Sequence, residues 1–162
     1  MRSLEDVHWI GVAGAGTTGS AVAQVAATNG YDVVLRDIDQ KALTDGVDSV
    51  QEGLDRYVRK DRLSESEAAT IRDRITATTE IDNLVGCDLI VEAVDDDPDV
   101  KRDLFGRLDE RIPDDIVLAT TTSTLSVTAI ASATNRAGLV VGLHFMDPIP
   151  VVPGVEVVTG EK

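Results

Sequence analysis

Three stretches of this sequence hold residue types that can do chemistry. The first is Gly14-Ala15-Gly16-Thr17-Thr18-Gly19, a GxGxxG pattern that follows the apolar run Val7 to Ala13. Gly14 permits a tight turn out of a strand, Gly16 lets the backbone approach a pyrophosphate, and Gly19 lets a helix pack close to that strand. The N-terminus of the helix then offers unpaired N–H groups and a positive dipole end to phosphates. Asp37 ends the next β-rich run, 18 positions beyond Gly19. A carboxylate at that spacing accepts hydrogen bonds from ribose hydroxyls and repels a 2′-phosphate, so NAD is favoured over NADP. Arg36 beside it is a cation that could tolerate a phosphate, unless its side chain points away. FAD enzymes share the fingerprint, and a glycine turn can also serve fold geometry alone. The other two stretches are Thr120-Thr121-Thr122-Ser123-Thr124 and His144-Phe145-Met146-Asp147-Pro148-Ile149-Pro150. Each directly follows an apolar β-rich run, so each falls at the carboxyl end of a strand, where open α/β sheets bind ligands. An imidazole there can shuttle a proton at neutral pH. The bland readings are a packed strand-end histidine at position 144 and a helix-capping serine at position 123.

The elements that must position these residues alternate along the chain. Strands are expected over Val7 to Ala13, Asp32 to Asp37, Ile75 to Thr79, Asp88 to Val94, Ile116 to Thr120, Leu139 to Leu143 and Val155 to Val158. Helices are expected over Ser20 to Asn29, from the cap Asp39 to about Lys60, from Ser64, from Asp99 to Arg111 and from Leu125 to Thr134. Ser64 and Glu67 form a capping box. Such alternation implies an α/β fold, a Rossmann-type doubly wound and mostly parallel sheet, with a helical hairpin inserted after the second strand. No linker, internal repeat or low-complexity stretch interrupts it.

Composition narrows the function classes. The chain has 162 residues, 43% hydrophobic and 27% charged, enough for one packed core. Its formal charge of −14 argues against nucleic acid or an anionic membrane as partner. Asp (20) outnumbers Glu (9), and Arg (11) outnumbers Lys (4). Short carboxylates in excess look like the surface of a halophilic protein, where salt screens the self-repulsion; the alternative is an ordinary acidic protein. The one cysteine, Cys87, rules out an intrachain disulfide and reads as inert core. His8 reads as structural or exposed. There is no apolar run of about 18 residues, and Met1 to Asp6 carries mixed charges without an apolar stretch, so a cytoplasmic location is expected.

Taken together, these pieces resemble the nucleotide-binding domain of the L-3-hydroxyacyl-CoA dehydrogenases. The similarity runs from Ile10 to Val158. It rests on the glycine turn, Gly30-Tyr31-Asp32-Val33-Val34-Leu35-Arg36-Asp37, Val91-Glu92-Ala93-Val94, Lys101 before Leu104-Phe105, Thr122-Ser123, and His144-Phe145 with Pro148 and Pro150. The resemblance implies an NAD-linked oxidoreductase that interconverts an L-3-hydroxyacyl-CoA and the 3-ketoacyl-CoA; the alternatives are an NAD-binding module without catalysis and a dehydrogenase of a free 3-hydroxy acid. His144 matches the base that takes the 3-hydroxyl proton, and Glu156, 12 residues on, matches its carboxylate partner. Ser123 matches the serine near the nicotinamide and the substrate oxygen. Thr17, Thr18, Ala93, Val94, Asp96, Lys101 and Asp147 join Gly14, Gly16, Gly19 and Asp37 around the cofactor, Lys101 as a direct contact. Glu92 falls near the cofactor with no assigned role. Arg56, Arg59, Lys60 and Arg62 form the local basic cluster of an acidic chain. The first three share a helix face by spacing. By resemblance they meet the CoA phosphates; otherwise they are a solvated face paired with Glu52, Asp55 and Asp61.

The departures from the family pattern are Thr121 and Asp147 where it usually has Asn, Asp96 where it has Glu, and Val152-Pro153-Gly154 where it has Met-Lys-Leu. Asp147 places a negative charge near the nicotinamide, and Pro153-Gly154 can re-aim Glu156. The family also continues into a helical second domain that closes the substrate cleft. Residues 1–162 cover the NAD-binding domain alone, so turnover is expected to need that domain, a separate helical partner or a homodimer.

Overall fold

The computed structural model describes residues 3–161; Met1 and Arg2 of the N-terminal segment, and Lys162, lie outside the described residues. The strands are β1 (Trp9–Ala13), β2 (Asp32–Arg36), β3 (Ile75–Thr78), β4 (Leu89–Glu92), β5 (Val117–Thr120), β6 (Val140–Phe145) and β7 (Val155–Thr159). The helices are α1 (Thr17–Thr28), α2 (Gln40–Arg59), α3 (Glu65–Asp73), α4 (Pro98–Asp109) and α5 (Val127–Ala131). The sheet order is β3-β2-β1-β4-β5-β6-β7, parallel from β3 to β6 with β7 antiparallel at the edge. The chain winds outward from β1 to β3, then crosses back to β4. The switch point therefore lies between β1 and β4, where such sheets open a crevice at their carboxyl ends.

Alternation along the strands builds two cores. Ile10, Val12, Val33, Leu35 and Val91 pack with α1, α2 and α3 on one face. Ala13, Val34, Ile90 and Leu118 pack with α4 and α5 on the other. Strands covered on both faces read as continuous apolar runs, as the sequence does here.

Local chemistry sets the helix ends. Asp39 caps α2 by accepting the Lys41 N–H, and Ser64 and Glu67 close their capping box on α3. Two helices differ from the sequence reading. α1 starts at Thr17 inside the glycine turn, not at Ser20, so Thr17 and Thr18 are its first residues. α5 is five residues long rather than running from Leu125 to Thr134. Its N-cap is Ser126, whose hydroxyl accepts the Ala129 N–H, so the cap proposed for Ser123 falls to its neighbour three residues on.

The end of α4 is closed from a distance. Arg136 donates from Nε to Asp109 Oδ1 at 2.6 Å and from Nη2 to the carbonyls of Asp109 and Ile112, both at 3.1 Å. Its Nη1 donates to the Pro113 carbonyl. A buried guanidinium thus satisfies the carbonyls that a helix C-terminus leaves open.

Candidate active site

Gly14 makes the turn out of β1 with φ of +106°, and a Cβ there would stand 2.5 Å from the Ala93 carbonyl oxygen. Its N–H donates to the Arg36 carbonyl at 2.7 Å, tying the turn to β2. A Cβ at Gly19 would fall 1.8 Å from the Gly14 carbonyl oxygen, so α1 rests directly on the turn. Gly16 is the opposite case: a Cβ there would meet nothing within 4 Å. The first N–H groups of α1 have no intrahelical acceptor, and the helix ladder begins with the Ser20 N–H bonding back to Gly16 at 2.9 Å. Open space and free amides together make an anion cradle that fits a pyrophosphate. Gly46 of α2 also serves this turn, since a Cβ would come 2.4 Å from the Ala15 carbonyl oxygen. The sequence reading missed it; a glycine inside an amphipathic helix was the available signal.

Asp37, half-buried just after β2, is oriented by two amides. Its Oδ2 accepts the Ala15 N–H at 2.8 Å and its Oδ1 the Asp39 N–H at 3.0 Å. A carboxylate has about four acceptor positions, so it can still receive ribose hydroxyls. Arg36 is buried and its Nε donates to the Thr79 carbonyl at 3.2 Å. Burial, then the charge of Arg107, lowers its pKa, against the pull of Asp37 and Glu80. Between the loops after β1, β2 and β4 lies a cleft of about 620 Å³, bordered by Gly14, Gly16, Asp37, Ala93, Val94 and Arg107.

Lys101 does not reach into that cleft. Its side chain is 0% exposed, and its ammonium lies 2.5 Å from Glu92 Oε1, 2.9 Å from the Val94 carbonyl and 3.3 Å from Asp96 Oδ1. Two hydrogen bonds and an ion pair with Asp96 hold the ammonium inside the protein, so in this geometry it faces protein oxygens and not the cleft of the direct cofactor contact that the resemblance implies. Glu92, for which the sequence suggested no role, is the buried anion that holds it. Cys87 is buried, and desolvation followed by the charge of Asp88 pushes its thiol up to about 12, which makes it inert.

At the same carboxyl edge, Ser123 is exposed three residues past β5. His144, near the end of β6, lies opposite Glu156 of β7 in the sheet register. His144 Nδ1 is 3.4 Å from Glu156 Oε2. A carboxylate accepts only, so it favours the tautomer with the proton on Nδ1 and leaves Nε2 as the basic nitrogen. Pro153-Gly154 therefore does not aim Glu156 away from the histidine.

The basic trio of α2 is divided. Arg56 borders a hollow of about 350 Å³ with Thr17, Thr18 and Asp147. Arg59 borders a different one, between α2 and α3, with Glu65 and Arg72. Lys60 is the exposed C-cap of α2. The shared face expected from spacing is thus split by the α2–α3 packing.

The comparisons with known proteins decide the family. Residues 9–162 match the model of the 3-hydroxyacyl-CoA dehydrogenase NAD-binding domain. The chain belongs to this family. It is 38% identical over 152 residues to 3-hydroxybutyryl-CoA dehydrogenase of Clostridioides difficile, covering 94% of this chain and 54% of that protein. It is 38% identical over 155 residues to 3-hydroxyadipyl-CoA dehydrogenase of Escherichia coli, covering 96% of this chain and 33% of that one. The crystal structure of (S)-3-hydroxybutyryl-CoA dehydrogenase from Ralstonia eutropha superposes with a TM-score of 0.93 at 35% identity, over 96% of this chain and 55% of that one. The chain spans about half the length of the 3-hydroxybutyryl-CoA dehydrogenases it matches. As a 3-hydroxyacyl-CoA dehydrogenase NAD-binding domain, it takes NAD as its cofactor. Among the described residues, no helix is long and apolar enough to cross a membrane.

Proposed function

We propose that this chain forms the cofactor half of an enzyme that interconverts an L-3-hydroxyacyl-CoA and the 3-ketoacyl-CoA, as in fatty-acid oxidation. The observation that carries the reading is the facing of His144 and Glu156 across β6 and β7, at the sheet edge that also presents the glycine turn. When bound, NAD accepts or supplies the hydride at the substrate carbon. Gly14, Gly16, Gly19, Thr17 and Thr18 hold the pyrophosphate, and Asp37 takes the adenosine ribose. His144 Nε2 removes the 3-hydroxyl proton, or returns it in reduction, while Glu156 keeps the ring oriented and steadies the imidazolium. Ser123 donates to the reacting oxygen. Arg56, the member of the basic trio that borders the Thr17–Asp147 hollow, is the candidate for a CoA phosphate.

The relatives are named for butyryl and adipyl acyl groups, so the acyl chain is left open. Their greater length favours a second reading: a domain that binds NAD, with the groups that close over the substrate supplied by a partner or a second copy. One experiment separates the two. Acetoacetyl-CoA reduction by NADH is followed in high KCl, with NADH titrated by fluorescence on the same sample. Turnover that disappears in His144→Gln with NADH binding intact supports catalysis by this chain. Binding without turnover supports the cofactor module. Turnover that survives His144→Gln rejects the assigned base.

A further inference from the structure

Glu92 and Lys101 reach further than one ion pair. Glu92 Oε1 accepts the Val94 N–H at 2.8 Å, and its Oε2 accepts the Thr120 hydroxyl at 2.7 Å. Lys101 donates to the Val94 carbonyl at 2.9 Å, so the N–H and C=O of Val94 are both held by the same ion pair. Beyond it, Asp96 receives Lys101 on Oδ1 at 3.3 Å and the Thr124 hydroxyl on Oδ2 at 3.1 Å. Thr122 Oγ1 accepts the N–H groups of Thr124 and Leu125 at 3.3 and 3.1 Å. Ser123 lies between those two threonines.

We infer that Glu92, Lys101, Asp96 and Thr124 form one positioning chain that fixes the Val94 wall of the cofactor cleft relative to the Ser123 loop. Lys101 is in this account a positioning residue that acts through Val94 and Asp96. Stability alone gives little reason to bury such a pair, because well-packed apolar side chains of similar volume serve a core as well or better. Apolar side chains cannot grip both polar groups of one peptide segment and extend to a carboxylate at the surface. Asp96 can serve as the outer link at neutral pH. Burial pushes its carboxyl up, but hydrogen bonds from Thr122, Lys101 and Thr124 outweigh that and hold it below the ordinary carboxylate range. The loops joined in this way follow β4 and β5, on the side of the switch point opposite Asp37.

The inference rests on the NAD site described above, and the test separates the two. Asp96 and Thr124 are exposed, so their variants spare the core. NADH binding by fluorescence and thermal melting are measured for the chain and for Thr124→Val, Thr124→Ser, Asp96→Ala and the double variant Asp96→Ala with Thr124→Val. Thr124→Val weakens NADH binding about fivefold and Thr124→Ser restores it, with melting temperatures little changed. The double variant binds no worse than Asp96→Ala alone, since both break the same link. Normal binding by Thr124→Val, or effects that multiply in the double variant, overturns the chain and leaves Asp96 as at most a direct contact. An unsubstituted chain that fails to bind NADH overturns the cofactor site and this inference with it.

Discussion

The second and third glycines of the phosphate turn, Gly16 and Gly19, offer a matched pair of perturbations. Alanine at position 16 adds a methyl that meets nothing within 4 Å, at a backbone geometry (φ −68°, ψ −168°) that any residue adopts. Its loss as a helix N-cap, a few tenths of a kcal/mol to about 1, is offset by about 0.4–1 kcal/mol from a stiffer unfolded chain. Folding stability should therefore move by under about 1 kcal/mol, or about 2–4 °C in Tm for a domain of this size. The same methyl occupies the approach of the pyrophosphate, so NADH affinity should fall at least about tenfold, roughly 1.4 kcal/mol. Alanine at position 19 reverses the pattern. Its Cβ would lie 1.8 Å from the Gly14 carbonyl oxygen, a backbone atom that cannot swing aside. Overpacking of this kind costs about 3 kcal/mol or more, read as a drop of about 6–12 °C. Differential scanning fluorimetry and NADH fluorescence titration on the same preparations test both. A Gly16→Ala protein with unchanged NADH affinity, or one that melts as low as Gly19→Ala, refutes the assignment of position 16 to the pyrophosphate.

Three further outcomes are expected. Arg136→Met leaves the Asp109 carboxylate buried beside unsatisfied carbonyls and should cost about 3 kcal/mol. Burial raises the Asp109 carboxyl, but bonds from Arg136 and Asn135 hold it below its ordinary 3.8; its stabilisation is thus present above 3.8 and is lost as pH falls through the lower folded value, an acid loss that circular dichroism should show to be smaller in the variant. Asp37→Ser should narrow the preference for NADH over NADPH in parallel titrations, with Tm also falling because the Ala15 and Asp39 amides lose their carboxylate. With a formal charge of −14, Tm should rise steeply with added KCl, and a Tm that does not respond to KCl would reject the salt-adapted surface.

What the sequence made legible was chiefly local. The Asp39 cap and the Ser64–Glu67 box are satisfied within a few residues, and the glycine turn is marked by its own spacing; each stands in the structure where that spacing places it. The alternating runs gave the parallel sheet because its central strands, β1, β2, β4 and β5, are buried on both faces. Contacts between distant residues were not legible. Arg136 finds Asp109 across 27 positions and Thr120 finds Glu92 across 28. Nothing near Lys101 in the sequence shows that its nitrogen turns inward to Glu92. The spacing of Arg56 and Arg59 gave a helix face correctly but not the neighbour, α3, that divides it.

The hairpin of β6 and β7 places a further condition on the chemistry. Glu156 is flanked by Val155 and Val157, and among the described residues β7 pairs with β6 alone. A slip of one residue in either direction sets a valine against His144 and turns every β7 side chain to the other face of the sheet. One of three neighbouring alignments therefore contains a carboxylate–imidazole pair. Residues 146–154 choose among them, closed by the Met146 N–H on the Gly154 carbonyl at 3.1 Å and tethered to α2 by the Tyr57 hydroxyl on the Pro150 carbonyl at 2.6 Å. Register here is an all-or-none code: any change that slips β7 by one residue switches the pair off outright, whereas one that keeps the register leaves it in place.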